Sequence, residues 1–163
     1  MAKEIERKFI LPALPAITFE NGVSMIQGYV PIPNGQLAMR VRDEGGKKVL
    51  TFKSSGTSVR YEANINMDEH PEIFDLLVES TNGAVRKFRY AIPDGDGHCE
   101  LDVYSGDHPT LEGKISVERE FPSEEASAAW TPPQWMVDAG AIEVTGDEHY
   151  LNSNLLTNGW PAN

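Results

Sequence analysis

Polar and apolar residues alternate along most of the first 121 positions of the chain, a pattern typical of half-buried β-strands. The alternation predicts eight strands, at 3–10, 25–30, 36–42, 47–53, 59–66, 84–92, 98–104 and 112–121. Turn sequences such as Asn34-Gly35 separate many of them, and consecutive strands joined by turns form a meander. We therefore expect one sheet that rolls into a β-barrel.

Helical patterns interrupt and follow these strands. Between positions 69 and 80, Ile73, Leu76 and Leu77 recur at helical spacing after Pro71, a residue favoured in the first turn of a helix. Ser123 is a suitable N-cap for a second helix. The tail, 126–156, predicts short helices whose tryptophans cover an open face of the sheet. The predicted fold class is α+β.

One face of most predicted strands carries charged side chains. In the first strand, Glu4, Glu6 and Lys8 share one surface, and Arg7 lies on the other, where we expect a structural role. The basic residues on such faces are Lys8, Arg40, Arg42, Lys53, Arg60, Lys87 and Arg89. The acidic residues on such faces are Glu4, Glu6, Glu62, Asp102, Glu118 and Glu120.

This repeated arrangement allows two interpretations. If the charged residues face solvent, the apolar residues fill a small barrel and the charges form an ordinary hydrated surface. If the charged residues face inward, bound ions must offset the cost of burying them, and helices must cover the apolar face. Independent strands repeat the same arrangement, which favours the inward interpretation.

An enclosed site that holds both carboxylates and cations suits phosphate chemistry. Carboxylate oxygens bind hard divalent cations, whereas Arg and Lys bind phosphate oxygens. Metal ions and a cationic clamp recur in phosphoryl transfer. The sequence has no Gly-rich phosphate loop, no His-x-x-x-His pair and no supported Ser-His-Asp arrangement, and its four histidines are scattered.

Length and charge limit the classes of protein that fit. A chain of 163 residues fits a single domain over 1–163, and the net charge of −11 argues against nucleic-acid and anionic-membrane partners. The single cysteine, Cys99, rules out an internal disulfide and fits the reducing cytoplasm. The charged start of the chain and the absence of a long apolar run predict neither a signal peptide nor a transmembrane helix.

Several short motifs occur in a fixed order along the chain. They are EIERKF at 4–9, IQGY at 26–29, RVR at 40–42, TFKS at 51–54, RYE at 60–62, KFRY at 87–90, ELDVY at 100–104, VERE at 117–120 and TGDEHYLNSNL at 145–155. Together they resemble the CYTH-domain proteins of the triphosphate tunnel metalloenzyme superfamily over nearly the full length of the chain. The resemblance implies an eight-stranded antiparallel β-tunnel covered by several short helices.

The resemblance also implies a function and a role for each charged residue. The expected activity is metal-dependent hydrolysis of a triphosphate, with Mg2+ or Mn2+ as cofactor and two ions during turnover. The implied metal ligands are Glu4, Glu6, Glu118 and Glu120, with Glu62 and Asp102 supporting a second ion. The implied phosphate-binding residues are Lys8, Tyr29, Arg40, Arg42, Lys53, Arg60, Lys87 and Arg89. Glu4, Glu6, Lys8, Glu62 and Lys87 are the residues expected to take part in catalysis.

The expected substrate is inorganic triphosphate, because short bacterial-type members of the family tend to prefer it. Two alternatives use the same fold: a class IV-type adenylate cyclase or thiamine or nucleoside triphosphatase, and a non-catalytic module that binds polyphosphate or nucleotide. On the fifth strand Arg60 and Asn64 flank a single glutamate, Glu62, where the family often has two or more. His149 stands where the family often has Arg. We expect a monomer or homodimer.

Overall fold

The computed structural model describes residues 5–33, 35, 37–54, 62–106 and 108–162. The strands are β1 (Ile5–Leu11), β2 (Val23–Val30), β3 (Leu37–Glu44), β4 (Lys47–Ser54), β5 (Glu62–Asn66), β6 (Val85–Asp94), β7 (Gly97–Gly106), β8 (Ile115–Phe121) and β9 (Ile142–Glu143). The helices are α1 (Pro71–Glu79), α2 (Glu124–Ala129), α3 (Gln134–Asp138) and α4 (Asn152–Asn158), with a 3₁₀ turn at Glu148–Tyr150. Within the described ranges, no helix is long and apolar enough to cross a membrane.

All of these strands belong to one antiparallel sheet, in the order β5-β4-β3-β2-β6-β7-β8-β1-β9. The predicted α+β class, the antiparallel sheet and the short helices are confirmed. The sheet is open rather than a closed barrel, since β5 and β9 are its two edges. Two predicted site residues, Glu4 and Arg60, lie outside the described residues.

The short strand β9, which the alternation did not predict, explains why β5 does not meet β1. β9 pairs with Phe9 and Ile10 on the free edge of β1. The Val144 N–H donates to the Lys8 carbonyl over 2.8 Å, and the Lys8 N–H donates to Thr145 Oγ1 over 3.0 Å. The chain's tail therefore satisfies the backbone groups of this edge that β5 would need in order to close the sheet.

The apolar face of β1, β7 and β8 packs against the segment that contains α2 and α3. Phe9, Leu101 and Val117 are buried there with Met136, and Trp130 packs against them. The Ser123 hydroxyl accepts a hydrogen bond from the Ala126 N–H over 3.1 Å and caps α2, as predicted. This part of the tail covers the apolar face as the sequence indicated.

Helix α1 covers the apolar face at the other end of the sheet. Val41 and Leu50 pack against Met67 and Phe74, and Pro71 occupies the first turn of the helix as predicted. Burying an apolar side chain of this size contributes about 1.5–3 kcal/mol. The helix therefore fixes β3 and β4, which carry part of the charged face.

Arg7 links the strands to the tail on the apolar side. Its Nε and Nη2 donate to the two carboxylate oxygens of Glu143 over 2.8 and 2.6 Å, and its Nη1 donates to the Trp130 carbonyl over 3.0 Å. The guanidinium also lies 5.2 Å from the centre of the Trp130 ring. These contacts agree with the structural role predicted for Arg7.

The last part of the tail packs on the charged side of the sheet, not on the apolar side. The buried cluster there consists of Ile10, Val85, Tyr104, Leu111, Tyr150 and Leu155, with Trp160 against it. The Tyr104 hydroxyl donates to Asn152 Oδ1 over 3.1 Å, and the Trp160 N–H donates to Thr110 Oγ1 over 2.8 Å. The tail was expected to cover an open face of the sheet, and α4 covers one end of the charged face while α2 and α3 cover the apolar face.

Candidate functional site

The strand register gathers the charged side chains onto one face of the sheet. Lys8 lies opposite Glu118, Arg89 opposite Asp102, and Lys53 opposite Glu62. Because opposite residues of an antiparallel pair share a face, the register defines a continuous surface from β1 to β5. This surface, called the charged face below, contains Glu6, Lys8, Gln27, Tyr29, Arg40, Arg42, Thr51, Lys53, Glu62, Lys87, Arg89, Glu100, Asp102, Glu118 and Glu120.

Glu118 is bound by cations from two neighbouring strands. Lys8 Nζ lies 2.8 Å from Glu118 Oε1, and Arg89 Nη2 donates to Glu118 Oε2 over 3.1 Å. Burial, the largest influence, raises the pKa of Glu118, but Lys8, Lys87 and Arg89 together outweigh it and lower that pKa to about 2. Glu118 is therefore a carboxylate under all physiological conditions.

Asp102 holds two cations deep in the sheet. Its side chain is fully buried, and it accepts hydrogen bonds from Lys87 Nζ over 2.5 Å and from Arg89 Nε and Nη2 over 2.7 and 2.8 Å. Burial lowers the pKa of Lys87 most, whereas the negative charge of Asp102 raises it. With both of its oxygens engaged, Asp102 orients Lys87 and Arg89.

Glu100 also belongs to the charged face, although the sequence analysis did not select it. It lies opposite Glu118 and forms an ion pair with Arg89. Burial raises the pKa of Glu100 most; Arg89 opposes this, while Glu118, Asp102 and Glu120 raise the pKa further. The motif ELDVY could have identified Glu100, because Glu100 and Asp102 are two residues apart on one strand and share a face.

On β3, Arg40 and Arg42 make their described side-chain hydrogen bonds to neutral groups on the neighbouring strands β4 and β2. Arg42 Nε and Nη2 donate to Gln27 Oε1 over 2.9 and 2.7 Å, and Gln27 Nε2 donates to the Tyr29 hydroxyl over 2.7 Å. Burial lowers the pKa of Arg42 most, and the nearby charges of Arg40 and Arg89 lower it further. A bound anion would relieve this repulsion.

Arg40 has an unsatisfied donor. Its Nη2 donates to Thr51 Oγ1 over 3.2 Å, but its buried Nε has no hydrogen-bond partner among the described residues. Buried donors are nearly always paired in proteins, so an orphaned guanidinium N–H on a cationic surface indicates a place for an acceptor. A phosphate oxygen has the required charge and geometry.

Asn64 and Glu62 on β5 support the cations of β3 and β4. The Thr51 hydroxyl donates to Asn64 Oδ1 over 2.7 Å, and Asn64 Nδ2 donates to Glu62 Oε1 over 3.1 Å. Lys53 Nζ lies 3.0 Å from Glu62 Oε2. In this structure, therefore, Glu62 forms an ion pair with a predicted phosphate-binding lysine.

The carboxylates of the charged face fit a hard divalent cation by their chemistry. Glu6 lies opposite Glu120, and Glu118 lies opposite Glu100, so four carboxylates occupy the neighbouring strands β1, β8 and β7. The negative charges of Glu118, Asp102 and Glu120 raise the pKa of Glu100, and a bound cation would reduce this repulsion. Among the described residues, however, no three potential ligands already stand close enough together to hold an ion. The ion pairs of Glu118 and Glu100 occupy these carboxylates instead.

The structure thus brings most of the predicted site residues to one surface, and their roles remain predictions. Asp102 and Glu62, predicted as supports for a second ion, are engaged with cations instead. Two residues that the sequence analysis missed, Gln27 and Thr51, are fully buried and contact predicted phosphate-binding arginines. Their importance follows from strand pairing between distant segments, which the sequence alone does not give.

Comparison with known proteins identifies relatives of the whole chain. The CYTH domain model matches residues 2–131. A protein named inorganic triphosphatase from Nitrosomonas europaea is 37% identical over 155 residues, covering 93% of this chain and 95% of the relative. Another of that name from Acetivibrio thermocellus is 35% identical over 161 residues, covering 97% and 96%. A crystal structure of an inorganic triphosphatase matches with a TM-score of 0.67 and 34% identity, covering 96% of this chain and 95% of that one.

Proposed function

Because this chain belongs to the CYTH family, we propose that it is a metal-dependent triphosphatase that hydrolyses inorganic triphosphate to pyrophosphate and phosphate. Two relatives that share more than a third of its residues carry that name, and each is matched over nearly its whole length. The substrate is a small polyanion, and the charged face is the surface that would bind it.

The observation that carries the proposal is the pair of arginines on β3, Arg40 and Arg42, whose described side-chain hydrogen bonds all go to neutral groups. Arg40 has a buried N–H without an acceptor in the described part of the chain, and Arg42 is held by the neutral Gln27. A linear triphosphate offers oxygens along its length for such donors. Lys53 on β4 and Arg89 on β6 extend the row of cations on either side.

The acidic residues of β1, β7 and β8 would hold the metal. The candidates are Glu6, Glu100, Glu118 and Glu120, and Glu4 remains a predicted ligand. Bound Mg2+ or Mn2+, which we propose as a pair of ions, would neutralise phosphate charge and generate the attacking hydroxide from water. The chain's own residues bind and orient the phosphates, and the cations offset the charge that develops on the leaving pyrophosphate as water attacks the terminal phosphorus.

We also propose that residues 1–163 act as one domain in the cytoplasm. The tail beyond residue 131 contributes β9 to the sheet and α4 to the charged face, which supports a single domain. The single cysteine, Cys99, is buried and free, which suits a reducing compartment. Analytical ultracentrifugation distinguishes the monomer from the homodimer.

The proposal is tested by phosphate release from inorganic triphosphate, ATP, thiamine triphosphate and pyrophosphate, each with Mg2+, with Mn2+ and with a chelator. We expect metal-dependent release from inorganic triphosphate at the highest kcat/KM. Faster turnover of ATP or thiamine triphosphate would replace the proposed substrate, and formation of a cyclic nucleotide from ATP would identify a cyclase. Tight triphosphate binding without any release would identify a binding module.

A further inference from the structure

Gln27 lies fully buried in the middle of the charged face and connects two residues of the phosphate-binding surface. Its side-chain oxygen accepts from Arg42 Nε and Nη2, and its side-chain nitrogen donates to the Tyr29 hydroxyl. These contacts are 2.7 to 2.9 Å long. The amide therefore links Arg42 on β3 with Tyr29 on its own strand.

The chemistry of these groups fixes the direction of every hydrogen bond. Arg42 has only donors, so the atom of Gln27 that faces it must be the oxygen. The nitrogen of Gln27 then faces Tyr29 and can only donate. The Tyr29 oxygen consequently accepts this bond, and its own proton is available for another acceptor.

That proton has no acceptor in the part of the chain that the structure describes. Tyr29 is half-buried, lies opposite Arg40 in the β2–β3 pair, and lies near enough to Glu118 to feel its charge. Tyr29 therefore shares the charged face with Arg40, whose buried Nε also has no acceptor among the described residues. Two donors that lack described acceptors, on the same face of adjacent strands, indicate a place for an anion.

We propose that Gln27 is a positioning residue, which holds the Tyr29 hydroxyl as a hydrogen-bond donor to the bound phosphate chain and fixes the Arg42 guanidinium next to it. The inference rests on the proposed function, because it assigns a further residue to the same site. Gln27 itself does not touch the phosphate.

Two substitutions separate this role from simple packing. Gln27→Glu keeps the size of the side chain and its bond to Arg42, but its second oxygen must accept from Tyr29 and so takes the hydroxyl proton away from the substrate. Tyr29→Phe removes the same proton directly. The double variant Gln27→Glu/Tyr29→Phe completes a double-mutant cycle.

We expect each single variant to lower kcat for triphosphate about tenfold, with KM changed less than about threefold, because one hydrogen bond to a charged group is lost. The double variant should also lose about tenfold, since both changes remove one donor. Losses that multiply to about a hundredfold, or a Gln27→Glu or Tyr29→Phe variant with wild-type kcat, would overturn the proposal.

Ile26→Val is the matched control, because Ile26 precedes Gln27 on β2 and points to the opposite face. It should keep wild-type kcat. If thermal unfolding shows that Gln27→Glu does not fold, Gln27→Met replaces it, with the same expected non-additivity toward Tyr29→Phe.

Titration calorimetry with inorganic triphosphate distinguishes failure of this inference from failure of the proposed function. If the wild type binds triphosphate without hydrolysing it, the enzyme assignment fails, and the double-mutant cycle is measured on the dissociation constant instead of kcat. A double variant that loses no more affinity than either single variant supports the role of Gln27, and losses of affinity that multiply refute it. If the wild type neither binds nor hydrolyses triphosphate, both proposals are wrong.

Discussion

Lys8 and Glu118 face each other across the β1–β8 pair, with the ammonium nitrogen 2.8 Å from a carboxylate oxygen. The same carboxylate accepts from Arg89 through its other oxygen. Glu118 thus joins a residue near the start of the chain to one near its middle. A cation that binds here must compete with two protein cations for a single carboxylate.

The first prediction concerns the exchange Glu118→Gln. Loss of the carboxylate removes a candidate metal ligand and leaves Lys8 and Arg89 with one anion fewer. We expect triphosphate turnover to fall by about a hundredfold or more and the Mg2+ concentration for half-maximal rate to rise. Phosphate release at a series of Mg2+ concentrations measures both. Glu72→Gln, an exposed change in α1, is the control, and unchanged metal dependence in Glu118→Gln would contradict the assignment.

The second prediction concerns acid unfolding. Since the folded pKa of Glu118 is about 2 and its ordinary value is 4.5, the unfolded chain takes up its proton first as the pH falls. The stabilisation is fully present above pH 4.5 and is lost as the pH falls toward 2. Urea unfolding of the wild type and of Glu118→Gln at pH 7, 5, 4 and 3 should show the two free energies converging with falling pH. A constant difference between them would be inconsistent with this ion cluster.

The third prediction concerns Lys53→Ala. Lys53 is partly exposed, and its ion pair with Glu62 is expected to contribute little to stability. We expect KM for triphosphate to rise about tenfold with little change in the unfolding free energy, because a charge-assisted bond to phosphate is lost. Steady-state kinetics and urea unfolding provide the two readings. Lys47→Ala, at the other end of β4, should leave KM unchanged, and an equal effect in both variants would place Lys53 outside the binding surface.

The fourth prediction concerns Asp102→Asn. This change leaves the fully buried Lys87 without its carboxylate and weakens the hold on Arg89. Breaking a buried ion pair from one side typically costs about 3–5 kcal/mol, so the urea midpoint should fall well below that of the wild type. Turnover should fall as well, because Lys87 and Arg89 lose their fixed positions. The exposed change Asp75→Asn in α1 controls for loss of charge, and an unchanged midpoint for Asp102→Asn would refute the buried ion pair.

Strand alternation was sufficient to predict the strands β1 to β8 and the side of most of them that carries charge. Lys8, Arg42 and Glu118 occupy one face because a period of two residues is a local property of the sequence. The order of the motifs resembles that of the CYTH-domain proteins, and this resemblance then predicted which basic and acidic residues form one site. Local patterns therefore predicted many of the side chains that share the charged face, and the roles assigned to them stay predictions.

The remaining features depend on contacts between distant segments. β9 has two residues, too few to show alternation, and its place beside β1 comes from pairing across more than 130 positions. Nothing in the local sequence distinguishes Gln27 from other polar strand residues. Its position opposite Arg42 follows only from the pairing of β2 with β3. The apolar residues of α4 could have packed on either face, and their partners Ile10 and Val85 sit at the end of the charged face, where the alternating residues become apolar.

The cations at the two ends of the charged face have different partners, so the net charge differs between the ends. Toward β1, β7 and β8, three cations are matched by three carboxylates: Lys8, Lys87 and Arg89 against Glu100, Asp102 and Glu118. Toward β3, Arg40 and Arg42 make their described side-chain bonds to neutral groups. The electrostatic potential therefore becomes more positive from β1 toward β3. The two ends of a linear polyanion on this surface experience different potentials even before any metal ion is bound.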